Sequence, residues 1–218
     1  MGWFKQFMGL EAPAATTQPP ASGEGALGLA QGRSVGFDST LKLLLDDHSR
    51  VIIPPTQQIW SVGSVDLGQS QWLSRYYMDD EDYWLQVHTS GDQDGQVDSV
   101  ILFNYLRYAT ISSNSELQRL AGPNSDIGLP TYNLDGVQFT REWGTEAGQT
   151  ELADMRERVV NPKESYVIEH RSMLYARDTG LTDRREFLLF SVEQDEEGTV
   201  SLSASLGISL YPTDLHIL

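Results

Sequence analysis

Arg75-Tyr76-Tyr77-Met78-Asp79-Asp80-Glu81-Asp82-Tyr83-Trp84-Leu85-Gln86-Val87 sets four consecutive acidic residues between two aromatic, strand-like runs. Carboxylates this close repel one another, so they belong at a solvated turn or around a bound cation. The pattern predicts a hairpin, Trp72 to Met78 followed by Tyr83 to Thr89. In it Tyr83, Leu85 and Val87 share one face, and Trp84, Gln86 and His88 the other. The same signature recurs along the chain. Ile59 to Leu67, Val100 to Tyr108, Val137 to Trp143, Tyr166 to Arg177, Arg185 to Glu193 and Thr199 to Tyr211 read as strands between Gly-, Asp- and Ser-rich turns. A leucine- and tyrosine-rich run such as 98–111 also fits a helix, but four apolar residues in a row, Val100 to Phe103, favour a buried strand.

Two or three short helices are expected. Asp38-Ser39-Thr40 offers N-caps for a short one through Leu41 and Leu45. Glu151 to Val160 puts Leu152, Met155 and Val159 on one stripe, with Asn161-Pro162 as its stop. Residues 112–136 read as loop. The expected fold is α+β: a single domain, predominantly antiparallel β, with two or three short helices. Residues 1–33 read as a short amphipathic segment and a Pro/Ala/Gly/Ser-rich linker, and 34–218 as the globular domain.

A formal net charge of −16 disfavours phosphate backbones and anionic lipid head groups and favours basic proteins, metal cations or polyamines. The absence of cysteine excludes disulfides, thiol nucleophiles and thiolate metal sites. No apolar run reaches transmembrane length, and residues 1–10 lack the uninterrupted apolar core of a signal peptide. Cytoplasm is the expected location.

Several familiar patterns fail on context. Gly23-Glu24-Gly25-Ala26-Leu27-Gly28 matches a dinucleotide fingerprint but follows a Pro-rich linker where a strand is needed. Gly32-Arg33-Ser34-Val35-Gly36 matches a nucleophile elbow, without the surrounding βα alternation. Asp92 to Asp98 outlines a calcium loop, but Asp94-Gly95 between strands is a hairpin turn and the remaining ligands are missing. His48, His88, His170 and His216 show no metal-binding spacing, and His88 and His170 read as structural strand residues. Neither catalytic residue, metal nor cofactor is assigned.

Two segments remain as candidate contact sites. Tyr76, Tyr77, Asp79, Asp80, Glu81, Asp82, Tyr83 and Trp84 form either a charged turn or an acidic mouth with aromatic walls, suited to a cation or a partner. Trp3, Phe4, Phe7 and Met8 lie on one side of a short helix and offer a partner or a peripheral membrane contact.

Several stretches together resemble the YjfK-like family of uncharacterised bacterial proteins. They are Ile59 to Gly68, Arg75 to Val87, Leu102 to Tyr105, Leu134-Asp135-Gly136, Arg141-Glu142-Trp143, Met173 to Arg177 and Glu186 to Leu189. The resemblance spans roughly residues 35–210. It carries no established activity and no catalytic residues. By association it implies a setting near a membrane-stress complex, or near polyamine-linked chemistry. The leading expectation is thus a non-enzymatic accessory with a protein partner. Alternatives are a polycation- or divalent-cation-binding protein, and an enzyme whose site would need a buried carboxylate or histidine cluster.

Overall fold

Side-chain alternation with a period of two, rather than helical periodicity, organises residues 57–210. The computed structural model describes residues 25–218. Twelve strands are formed: β1 (Ser34–Phe37), β2 (Gln57–Gly68), β3 (Gln71–Met78), β4 (Tyr83–Ser90), β5 (Gln96–Ile111), β6 (Thr131–Leu134), β7 (Val137–Arg141), β8 (Ala153–Val160), β9 (Ser165–Asp178), β10 (Arg185–Asp195), β11 (Val200–Leu210) and β12 (Leu215–Ile217). The α-helices among the described residues are α1 (Leu41–Leu45) and α2 (Asn114–Ala121). Trp3, Phe4, Phe7 and Met8 lie outside the described residues.

The pairing order β2-β3-β4-β5-β11-β10-β9-β8 returns to β2, every step antiparallel. This is a closed eight-strand barrel with β1 and β12 continuing from β2 and β6–β7 attached to β9. The fold is therefore mostly β, and the α+β expectation is corrected. The decisive element is β8, which the apolar stripe of Leu152, Met155 and Val159 assigned to a helix. Its burial alternates instead: Met155, Glu157 and Val159 are buried, while Asp154, Arg156 and Arg158 are exposed. A charged residue at the central inward position hid the strand period. Without β8 the sheet would stay open between β2 and β9.

A second correction lies in 112–136. Ser113 caps α2 by accepting from the Glu116 amide at 3.2 Å, while the Glu116 carboxylate accepts from Ser112 N at 2.9 Å. Ser-x-x-Glu is a helix-start signal, read here as loop.

The barrel has two unlike faces. Outward, Tyr76, Leu85, Leu102, Leu206, Leu188 and Tyr175 form a continuous apolar layer. Leu29, Leu41, Leu45, Ile127 and Phe139 cover it, drawn from segments outside the barrel. Residues 26–30, of linker-like composition, contribute Ala26, Leu29 and Ala30 to the buried set. The segment after α1 is anchored by Glu186, fully buried on β10, whose Oε1 accepts from Ser49 Oγ and Arg50 N at 2.7 Å each. Inward, the strands carry Trp84, Phe103, Phe187 and Leu189 together with charges and serines. Room for the aromatics comes from β11, whose inward positions are Ser201, Ser203, Ser205 and Gly207. A Cβ on Gly207 would lie 2.6 Å from the Phe103 ring.

Candidate functional site

The lumen brings together groups from seven strands, β3, β4, β5, β8, β9, β10 and β11. Glu157 on β8 is at its centre and wholly buried. Arg75 Nη1 donates to Glu157 Oε2 at 2.6 Å, and Tyr77 Oη donates to Oε1 at 2.8 Å. His170 Nε2 on β9 lies 2.8 Å from Oε2, a close contact poorly aligned for a hydrogen bond. On its other side, His170 Nδ1 is 3.0 Å from Ser191 Oγ, which is 2.9 Å from Ser172 Oγ. Arg75 also donates through Nε to Gln86 Oε1 at 3.2 Å, and its guanidinium sits 5.2 Å from the centre of the Trp84 ring. Trp84 stacks on Phe103 at 4.3 Å.

The electrostatics follow from burial and pairing. Burial alone pushes the Glu157 carboxyl up. The Arg75 charge, the contact with His170 and the Tyr77 hydrogen bond together outweigh it and hold the group at about 2. Arg75 shows the mirror effect: burial disfavours its charge, and Glu157 more than restores it. Glu193 on β10 is different. Burial pushes its pKa up, against the nearby His170 and a 2.6 Å hydrogen bond accepted from Ser203 Oγ. Tyr77 and Tyr105 are both raised well above the usual phenol value, first by burial and then by the neighbouring carboxylates.

Ser191, His170 and Glu157 stand in the order of a nucleophile–base–orienter relay. Access argues against turnover. Ser191 and His170 are each 3% exposed, Glu157 is 0% exposed, and the remaining void is about 10 Å³. That is room for about one water molecule. The cluster can hold charge and fix register; an acyl substrate does not fit.

The structure distributes the acidic-aromatic stretch over three places. Tyr77 and Trp84 point into the lumen. Tyr76 is buried on the outer face, and Tyr83 is half-buried on that same side. Asp79, Asp80, Glu81 and Asp82 make the β3–β4 turn. Asp79 Oδ1 accepts from Gln58 N at 3.1 Å, Asp80 Oδ1 from Asp82 N at 3.2 Å, and Glu81 takes a left-handed φ of 63°. The Asp92 to Asp98 segment is a turn through Gly95, where Gly95 N donates to Asp92 O, followed by the first residues of β5. Among the described residues, no group of three His, Asp or Glu side chains is arranged to hold a metal ion.

Arg75, Glu157, Ser191 and Glu193 escaped the sequence reading. Their one visible signal is a polar residue at an inward position of an otherwise apolar alternation.

No curated protein and no solved structure matches the chain. A family model described as a protein of unknown function (DUF2491) matches residues 3–216. With nearly the whole length covered, the chain belongs to the DUF2491 family.

Proposed function

We propose that this protein is a non-enzymatic accessory that acts by binding a protein partner on its outer surface, in the setting of a membrane-associated stress complex. One observation carries the reading: the barrel interior is packed to a residual void of about 10 Å³, so the outer surface is what remains for recognition. The net charge of −16 selects for a basic partner. On α1, Leu43 and Leu44 are 78% and 44% exposed beside exposed Asp46 and Asp47, an apolar contact with an acidic rim. The buried Glu186 carboxylate anchors the chain just after that helix, at Ser49 and Arg50.

Affinity capture with the full chain tests the proposal. The wild type and Ser191→Ala should retain the same basic partner. Leu43→Asp/Leu44→Asp should lose it at an unchanged melting temperature. Labelling of Ser191 in the folded protein by a fluorophosphonate probe would overturn the non-enzymatic reading.

A second reading, polycation binding at Asp79, Asp80, Glu81 and Asp82, is favoured by the state of Asp80. Burial, and after it the charges of Asp82 and Asp79, raise its pKa, and a bound cation would relieve that repulsion. Calorimetry with spermidine decides it. Equal binding by the wild type and a variant with all four carboxylates changed to Asn or Gln would end this reading.

A further inference from the structure

A groove of about 280 Å³ lies on the outer face of β2 and β8, where the described chain begins. Leu29, Val62, Tyr76 and Val160 line it with apolar surface, and Ser64 and Arg158 add polar groups. Gly25 lines it as well, with its amide bonded to Leu29 O at 2.9 Å. A Cβ on Gly25 would lie 2.5 Å from Tyr76 Oη, so the backbone presses directly on a groove residue. The described chain therefore begins at the groove itself.

The chain outside the described residues carries a fitting ligand. Trp3, Phe4, Phe7 and Met8 are apolar, and residues 9–24 tether them to the groove. Sixteen residues reach at most about 53–58 Å extended. A short tether gives an effective concentration of the order of millimolar, so a contact with a dissociation constant below that is substantially formed. An untethered ligand must compete against that. The family match begins at residue 3, which places this segment within the shared unit.

We infer that the N-terminal segment bearing Trp3, Phe4, Phe7 and Met8 docks into the groove formed by Leu29, Val62, Tyr76 and Val160 of its own chain. The inference is independent of any partner, since it concerns the isolated monomer.

The cysteine-free sequence makes the test clean, because any introduced pair is the only pair. Full-length Phe7→Cys/Ser64→Cys is oxidised at micromolar concentration beside a control, Phe7→Cys/Leu106→Cys. Leu106 is 38% exposed on β5, three strands from β2. Docking predicts an intramolecular disulfide at least tenfold faster in the first variant, and a return to the control rate when Val62→Lys is added. Equal rates in the two pairs, or cross-links only between chains, would overturn the inference.

Discussion

A Cβ placed on Gly63 would lie 1.6 Å from Glu157 Oε1, so the glycine of β2 and the carboxylate of β8 occupy complementary space. Gly63 faces the lumen between Ser61 and Val65, and its missing side chain is where the buried carboxylate sits. Gly63→Ala should therefore destabilise the protein by about 3 kcal/mol, through overpacking and displacement of the Arg75 partner. Adding Glu157→Ala should cost much less than the sum of the two single changes, since both act on one contact. Urea unfolding of the four proteins checks it; strict additivity would show the two sites to be independent.

The Arg75–Glu157 pair contributes to stability chiefly through what its loss would strand. Arg75→Met or Glu157→Gln should each cost about 3–5 kcal/mol by leaving a buried group uncompensated. Arg75→Met/Glu157→Leu should recover a large part of that. A double-mutant cycle measured by chemical denaturation gives the coupling energy, and a double variant as unstable as the sum would contradict this account.

Glu157 and Glu193 should shape the pH profile in opposite directions. For Glu157 the folded value, about 2, lies below the unfolded 4.5. Its contribution is present above pH 4.5 and lost as pH falls toward 2. For Glu193 the folded value is raised, so the native state keeps a proton that the unfolded chain releases near 4.5. That contribution is complete below pH 4.5 and lost as pH rises through the folded value. Glu157→Gln should flatten the acid limb of the urea midpoint against pH, and Glu193→Gln should remove the decline above pH 4.5. A Glu193→Gln profile parallel to wild type would contradict the assignment.

Arg184 fastens the C-terminal segment. Its Nη1 and Nη2 donate to Asp214 Oδ2 and Oδ1 at 2.6 and 3.0 Å, and its guanidinium lies 4.2 Å from the centre of the Tyr211 ring. A lysine retains the charge but neither the planar fork nor the stacking. Arg184→Lys should destabilise the protein by about 1–3 kcal/mol and speed amide exchange in β12, where Phe37 pairs with Leu215. Exchange rates by mass spectrometry provide the readout; an unchanged β12 would mean that the strand is held by its other contacts.

Much of the barrel was legible. The strands from Ile59 to Thr89, and those around Tyr166 to Tyr211, follow from residue type, alternation and turn chemistry. Those are local properties. Ser113 to Glu116 is also legible, as a capping signal. The two faces of a strand such as β11 are visible as alternation, but nothing local says that its serines rather than its leucines face the lumen.

The sequence by itself determined the strand-rich core, the net acidity and the absence of thiol chemistry, because each depends on neighbouring residues or on composition. Only the tertiary structure decided that the sheet closes, through β8, and that Arg75, Glu157, His170, Ser191 and Glu193 converge inside it. Burial of a charge is favourable only where distant strands deliver its partners, and Arg75 and Glu157, 82 positions apart, meet only once the barrel has closed.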